Sequence, residues 1–145
     1  MVSSRGWSEA RLHRWLLRTH RPLGLAANFG HDAATLARAL ERPVLCLDQC
    51  VEAVHFDRGT SGALAGRKAA SRALSDLAAS AALPRALVFG ACLPPDTEER
   101  WVRAAIQGVA RRARDFGAEL VGGDLACSPG RVVLTVAALG ELGRS

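Results

Sequence analysis

The hydrophobic positions along the chain change period several times, and each change marks an element. Leu12, Trp15 and Leu16 recur at helical spacing, with Arg11, Arg14 and Arg18 opposite and Ser8 placed to cap the start. Pro22 and Gly24 end that pattern. A short apolar piece, 25–29, leads to Gly30-His31-Asp32-Ala33-Ala34, and residues 35–42 read as a helical turn or a hairpin connection. Pro43-Val44-Leu45-Cys46-Leu47 is an apolar, β-prone run that stops at Asp48. Turn residues at 57–62 precede an alanine-rich helix over about 63–81, carrying Leu64, Leu74 and Leu77 and ended by Pro84. Its alanines allow close approach to a sheet. A continuous apolar strand follows at 86–93, closed by Pro94-Pro95. Asp96 and Glu99 have capping-box spacing before Val102, Ile106, Val109, Ala113 and Phe116, and Gly117 reads as the C-cap. A strand at 118–121 runs into Gly122-Gly123-Asp124. Ser128-Pro129-Gly130 is a tight turn into a returning strand at 131–139, which predicts a hairpin between these two.

The order helix, strand, helix, strand, helix, strand, strand predicts an α/β two-layer sandwich with helices on one sheet face. At 145 residues with 49% hydrophobic content the chain is expected to be one domain with a real core. No apolar run approaches the roughly 20 residues that span a bilayer. The first residues lack the apolar core of a signal peptide, so the expected location is the cytoplasm and no membrane partner is expected. The net charge is +5, and Lys68 is the one lysine among 19 basic residues. The arginines are scattered over amphipathic helices, and there is no tyrosine and little other aromatic surface to stack on bases. Nucleic acid is therefore not an expected partner; small phosphate ligands or plain solvation of helix faces fit the arginines better. Cys46, Cys50, Cys92 and Cys127 form no CxxC pair. Cys46, Cys92 and Cys127, in strand-like context, are expected to be reduced, buried small hydrophobes, and a zinc site is not expected.

The chemistry is concentrated in aspartates. Asp32, Asp48, Asp76 and Asp124 each stand alone at the edge of an apolar segment beside small residues, a pattern that suits one shared carboxylate cluster. Asp76 falls near the C-terminal end of its helix, where the backbone dipole disfavours an acid. Arg72, four residues earlier, is one candidate to neutralise it; a bound cation is the other. Asp124 follows two glycines, whose freedom would let a phosphate or metal approach the main chain, although a hairpin corner explains them equally. Asp32 is either a ligand or an N-cap. His55, between Val54 and Phe56, is by itself a half-buried histidine at a strand end; Lys68 is placed to reach a phosphate or to stand exposed. Several convergent carboxylates are what a magnesium–nucleotide site needs. The chain has no G-x-x-x-x-G-K-[ST] loop, no kinase catalytic-loop signature and no G-x-G-x-x-G, so ATP would have to be handled by another route.

Gly30-His31-Asp32-Ala33-Ala34, the stretch Asp48 to Phe56 with its Val54-His55-Phe56, Leu74-Ser75-Asp76-Leu77-Ala78-Ala79 and Gly122-Gly123-Asp124 resemble, in order and spacing, the thiamine-monophosphate kinase family. The similarity is to the N-terminal domain of that family, which belongs to the aminoimidazole ribonucleotide synthetase superfamily, and it runs from about residue 25 to residue 141. The resemblance implies a PurM-like N-terminal domain over 25–145, preceded by a helical segment at 1–24, with the family's C-terminal domain absent. It implies transfer of the γ-phosphoryl of ATP to thiamine monophosphate. Asp32, Asp48, Asp76 and Asp124 would hold Mg²⁺, Gly123 and Asp124 would lie against ATP, and His55 would contact the substrate. It also implies a homodimer whose N-terminal domains pair, with a separate polypeptide as one possible source of the second half. The family's usual Gly-Asp-Asp is Gly30-His31-Asp32 here, its Thr-Asp is Leu47-Asp48, and its Gly-Gly-Asp-Thr is Gly122-Gly123-Asp124-Leu125. These replacements imply fewer or weaker metal sites. A nucleotide-binding or dimerisation homologue without chemistry is the alternative, and a sister activity such as selenophosphate or purine-intermediate synthesis is the third.

Overall fold

A computed structural model of the chain describes residues 6–20, 23–25 and 33–143. The elements follow the expected order: α1 (Glu9–Thr19), β1 (Pro43–Val51), α2 (Gly62–Ala79), β2 (Ala82–Leu93), α3 (Glu99–Asp115), β3 (Glu119–Cys127) and β4 (Val133–Leu142). The strands form one mixed sheet in the order β1-β4-β2-β3. β2 and β3 run parallel, joined by the α3 crossover, whereas β4 is antiparallel to both β1 and β2.

The expected hairpin between the last two strands does not form. β4 passes β2 and takes a central position, leaving β3 at the edge. Burial explains the choice: Leu134, Val136 and Ala138 of β4 are fully buried, which a strand achieves between two neighbours under covering helices. The Ser128-Pro129-Gly130 turn is real, but it redirects the chain across β2, with Ser128 N–H on the Leu93 carbonyl.

Helices cover one face, as expected. Leu87, Phe89 and Leu93 of β2, with the buried row of β4, pack against Ala69, Ala70, Ala73 and Leu77 of α2 and Val102, Ile106, Val109 and Ala113 of α3. α2 and α3 cross backbone to backbone. A Cβ on Gly66 would lie 2.0 Å from the Ala105 carbonyl oxygen, and Gly62 and Gly108 are as tightly placed against Trp101 and Ala63. α1 docks beside α3 through fully buried Leu12. Arg11, expected to face solvent, instead reaches Glu99 of α3 at 2.6 Å, and Arg103 stacks over the Trp15 ring at 5.2 Å.

Several local expectations are corrected. β1 continues four residues past Leu47, so Asp48 sits inside a strand. Pro84 lies within β2 rather than ending α2, at a break in the β2–β4 register, which is where a sheet tolerates proline. α2 ends instead at Ser80 and at Ala81, which takes a left-handed φ of 54°. Ser8 is the N-cap of α1 but its side chain makes no cap bond. No capping box forms at α3: the N-cap is Glu98, and Glu99 is drawn to Arg11 and Arg103. Gly117 lies just beyond the α3 cap with φ +70, and its N–H and that of Ala118 close a Schellman motif on Arg114 and Ala113. Leu64 and Phe116 are exposed rather than core, Phe116 lying under the Arg112 guanidinium at 4.6 Å. The described part of 35–42 contains bends and no helix. Cys50, not Cys92 or Cys127, is the fully buried thiol; those two are exposed and Cys46 is half-buried.

Two buried carboxylates tie the segment between α1 and β1 to the sheet. Glu119 of β3 accepts the backbone N–H groups of Leu23 (2.7 Å) and Leu25 (3.1 Å) and a contact from His20 Nε2. Burial pushes the His20 imidazole below its ordinary pKa, against the pull of Glu119. Glu141 of β4 binds Arg38 and Arg85 and accepts the Glu41 N–H at 3.1 Å.

Candidate functional site

β1 and α2 together build an acidic edge. Asp48 pairs across the sheet with Val136, whose side chain is buried under the helices, so Asp48 points to the helical side. There it accepts a hydrogen bond from Arg72 Nη2 at 2.9 Å and one from the Gln49 N–H at 2.8 Å. Arg72 therefore neutralises Asp48, not Asp76, the partner expected from helix spacing. Asp76 is exposed one turn further along α2, and among the described residues its carboxylate has no ion-pair partner. The two acids share a neighbourhood. Burial first, then the charges of Asp76 and Asp48, push up the pKa of the Cys46 thiol, which donates to the Ala73 carbonyl at 3.2 Å.

Asp124 is elsewhere. It lies on β3, the opposite edge strand, in register with Gly90, and its neighbour Leu125 packs on the core. Asp124 therefore points to the sheet face without helices. Asp32 and His31 fall outside the described residues. Among the described residues no three His, Cys, Asp or Glu side chains converge as a metal site would require. The donors have the hard oxygen chemistry Mg²⁺ takes, but within the described chain they do not fit a single multi-aspartate site. Gly123 does not use glycine's conformational freedom, since its φ is not positive. Its hydrogen is needed because a Cβ there would lie 2.1 Å from the Phe89 carbonyl oxygen, beside the β2–β3 register shift.

His55 closes a tight turn at the end of β1. Val51 accepts the N–H groups of Val54 and His55, Ala53 N–H donates to Phe56, and the Val51 N–H donates to His55 Nδ1 at 3.0 Å. An Nδ1 that accepts leaves the ring proton on Nε2. Lys68 of α2 donates to the His55 carbonyl. His55, Lys68, Arg67, Thr60 and Ser71 line an open groove of about 690 Å³ whose one acidic side chain is Asp57. Arg67, Thr60 and Ser71 are not singled out by the sequence; their signal is only visible once α2 is known to flank the β1 turn.

Among the described residues, the face opposite the helices carries exposed apolar side chains. Leu47, Ala137, Val88 and Gly122 form one row across all four strands, with Leu47 62% and Val88 42% exposed and Leu45 73% exposed nearby. Asp124 lies in the next row with Gly90, Thr135 and Gln49. No helix among the described residues is long and apolar enough to cross a membrane.

The thiamine-monophosphate kinase of Synechococcus elongatus is 39% identical over 113 residues, covering 77% of this chain and 34% of that protein. The solved thiamine-monophosphate kinase of Stenotrophomonas maltophilia K279a superposes with a TM-score of 0.74 at 31% identity, over 93% of this chain and 42% of that one. AaThiL complexed with AMPPCP and TMP gives a TM-score of 0.64 at 32% identity, over 68% of this chain and 31% of that one. The chain spans about a third of the length of the curated relatives it matches. Residues 30–142 match the family model "AIR synthase related protein, N-terminal domain", and the chain belongs to that family.

Proposed function

We propose that this chain is the nucleotide-binding part of a cytoplasmic thiamine-monophosphate kinase, in which ATP donates its γ-phosphoryl group to thiamine monophosphate. One observation carries the proposal: the acidic edge of Asp48 and Asp76 and the cationic groove of His55, Arg67 and Lys68 are built side by side from the same two elements, β1 and α2. Phosphoryl transfer asks a protein chiefly for positioning and charge compensation, and these two surfaces offer both. AaThiL, which matches over two-thirds of this chain, is solved with AMPPCP and TMP, supporting nucleotide and substrate of that kind. His55 would contact the thiamine phosphate, and Gly123 with Asp124 would lie against ATP. Asp32, Asp48, Asp76 and Asp124 remain the expected Mg²⁺ ligands. The apolar row through Leu47 and Val88 would be covered by a second copy of the chain, giving a homodimer with Asp124 at its interface. The remaining contacts would come from a C-terminal domain, on this polypeptide or a separate one.

The separation of Asp124 from Asp48 and Asp76 favours a second possibility, a nucleotide-binding and dimerisation homologue without chemistry. Isothermal titration with a non-hydrolysable ATP analogue, with and without Mg²⁺, distinguishes them in part. The kinase proposal expects Mg²⁺-dependent binding, weakened at least about tenfold (roughly 1.4 kcal/mol) by Asp76→Asn. Adding thiamine monophosphate and ATP to the chain with a relative's C-terminal domain then yields thiamine diphosphate. No nucleotide binding in any condition sinks the nucleotide site and leaves dimerisation.

A further inference from the structure

The charge of this chain is not spread evenly. α1 and α3 together carry eight arginines against three carboxylates, those of Glu9, Glu99 and Asp115. That surplus equals the +5 of the whole protein, so the remainder of the chain is balanced. The arginines are also aligned. Arg11, Arg14 and Arg18 recur at i, i+3 and i+7 along α1, one helical stripe. Arg100, Arg103, Arg111 and Arg114 recur at i, i+3, i+11 and i+14 along α3, a second stripe. The two meet along one seam: Glu99 accepts from Arg11 and from Arg103, both at 2.6 Å, and Arg103 reaches back over the Trp15 ring. Arg14, Arg18 and Arg111 are exposed and have no ion-pair partner among the described residues.

The chemistry of the seam selects among anionic partners. A bilayer takes a helix by its apolar face, and that of α1 is spent on the core through Leu12. Single-stranded nucleic acid needs aromatic rings on which bases stack, and Trp15 and Phe116 already carry the guanidinium groups of Arg103 and Arg112. A carboxylate is what the seam already holds, since Glu99 sits between two guanidinium forks that match its geometry. Leu17, 50% exposed and three residues on from Arg14, adds an apolar contact to the outer side of α1.

We propose that the outer α1–α3 seam is a docking surface for an acidic helix of a second protein. At about 1.5 Å per residue, Arg100 and Arg114 stand about 21 Å apart along the α3 axis, the length of about four helical turns. A helix that fits presents glutamates or aspartates on one stripe of that length and an apolar side chain to Leu17. The surface shares no residue with the β1–α2 groove or the four aspartates, so it stands or falls independently of the kinase proposal.

The test uses the whole 145-residue chain and a fluorescein-labelled helical peptide of about 18 residues, long enough to hold a helix, with glutamates on one stripe. Binding is followed by fluorescence anisotropy at low salt, beside a scrambled peptide of the same composition and a single-stranded oligonucleotide. Arg14→Glu combined with Arg111→Glu reverses two charges on the seam. Arg58→Glu combined with Arg131→Glu makes the same change of net charge elsewhere. All four side chains are exposed, and thermal melts check that both variants fold. The wild type is expected to bind the striped peptide, and the seam variant to bind it about tenfold more weakly. The control variant is expected to stay within about twofold of wild type, because distant exposed charges are screened. No binding of the striped peptide, equal affinity for the scrambled one, or an equal loss in both variants overturns the proposal. An oligonucleotide that binds more tightly than the striped peptide also overturns it and assigns the seam to nucleic acid.

Discussion

Replacing Gly66 by alanine tests whether the α2–α3 crossing sets the geometry of the whole helical layer. The new Cβ would lie 2.0 Å from the Ala105 carbonyl oxygen and 2.8 Å from its carbon, where ordinary contact begins at 3.4 Å. Both clashing atoms are backbone, so no rotamer change relieves them and the helices must part by more than 1 Å. Overpacking of this kind costs about 1–3 kcal/mol, and a rigid backbone contact belongs at the upper end. Alanine recovers about 1 kcal/mol of helix propensity over glycine. The net loss is about 2 kcal/mol, which for a domain of this size lowers Tm by about 4–8 °C. Urea and thermal unfolding followed by circular dichroism measure it, with Ser75→Ala on the exposed side of the same helix as the control, expected within about 0.5 kcal/mol of wild type. A Gly66→Ala chain as stable as wild type, or more so, would show that propensity outweighs the crossing and that the helices are free to adjust.

Two further outcomes follow from charges and from the open face. The hydrogen bond from Arg38, joined by the Glu41 N–H and Arg85, lowers the Glu141 carboxyl from 4.5 to about 2. A depressed carboxylate stabilises the fold fully above its unfolded pKa, and that contribution is lost as pH falls from about 4.5 toward about 2. Glu141→Gln should therefore lower stability at neutral pH and flatten its fall over that interval, measured by urea unfolding against pH. Leu47→Glu places a charge in the uncovered apolar row; it should leave the melting temperature within a few degrees of wild type but shift sedimentation toward monomer, and unchanged self-association would remove this face as the dimer surface.

Element order was legible because each segment carries its own periodicity: Leu12 with Trp15 and Leu16, or Val102 with Ile106 and Val109, need no partner to be read as a helix face. Sheet order was not. Ser128-Pro129-Gly130 is as good a hairpin turn as the chain contains, yet the destination of β4 depends on what Leu134, Val136 and Ala138 can bury against, and that is decided by α2, α3 and two other strands at once. Pro84 misled for the same reason, since only the neighbouring register shows a bulge that tolerates it. At the candidate site, the resemblance located His55, Asp48 and Asp76 in sequence, and the fold brings the last two to one edge. That Arg72 turns from Asp76 to Asp48 could not be read from helix spacing, because the winning partner is on another element. Gly123 is explained by a carbonyl on β2, a contact without any local signature. The grouping of all four aspartates stays an expectation, with Asp32 outside the described residues and Asp124 on the other face.

The central place of β4 also has a temporal side. Among the described residues β1 has β4 as its only partner in the sheet, and about 80 residues separate Val51 from Val133. At ribosomal rates of about 5–20 residues per second, β1 waits roughly 4–16 s after its own synthesis before that partner exists. During that interval Leu45 and Leu47 sit on an unpaired strand with both edges open, the kind of segment that aggregates or recruits a chaperone. β4 completes the pairings of both β1 and β2, so formation of this sheet depends on a long-range closure rather than on the local contacts of the helices.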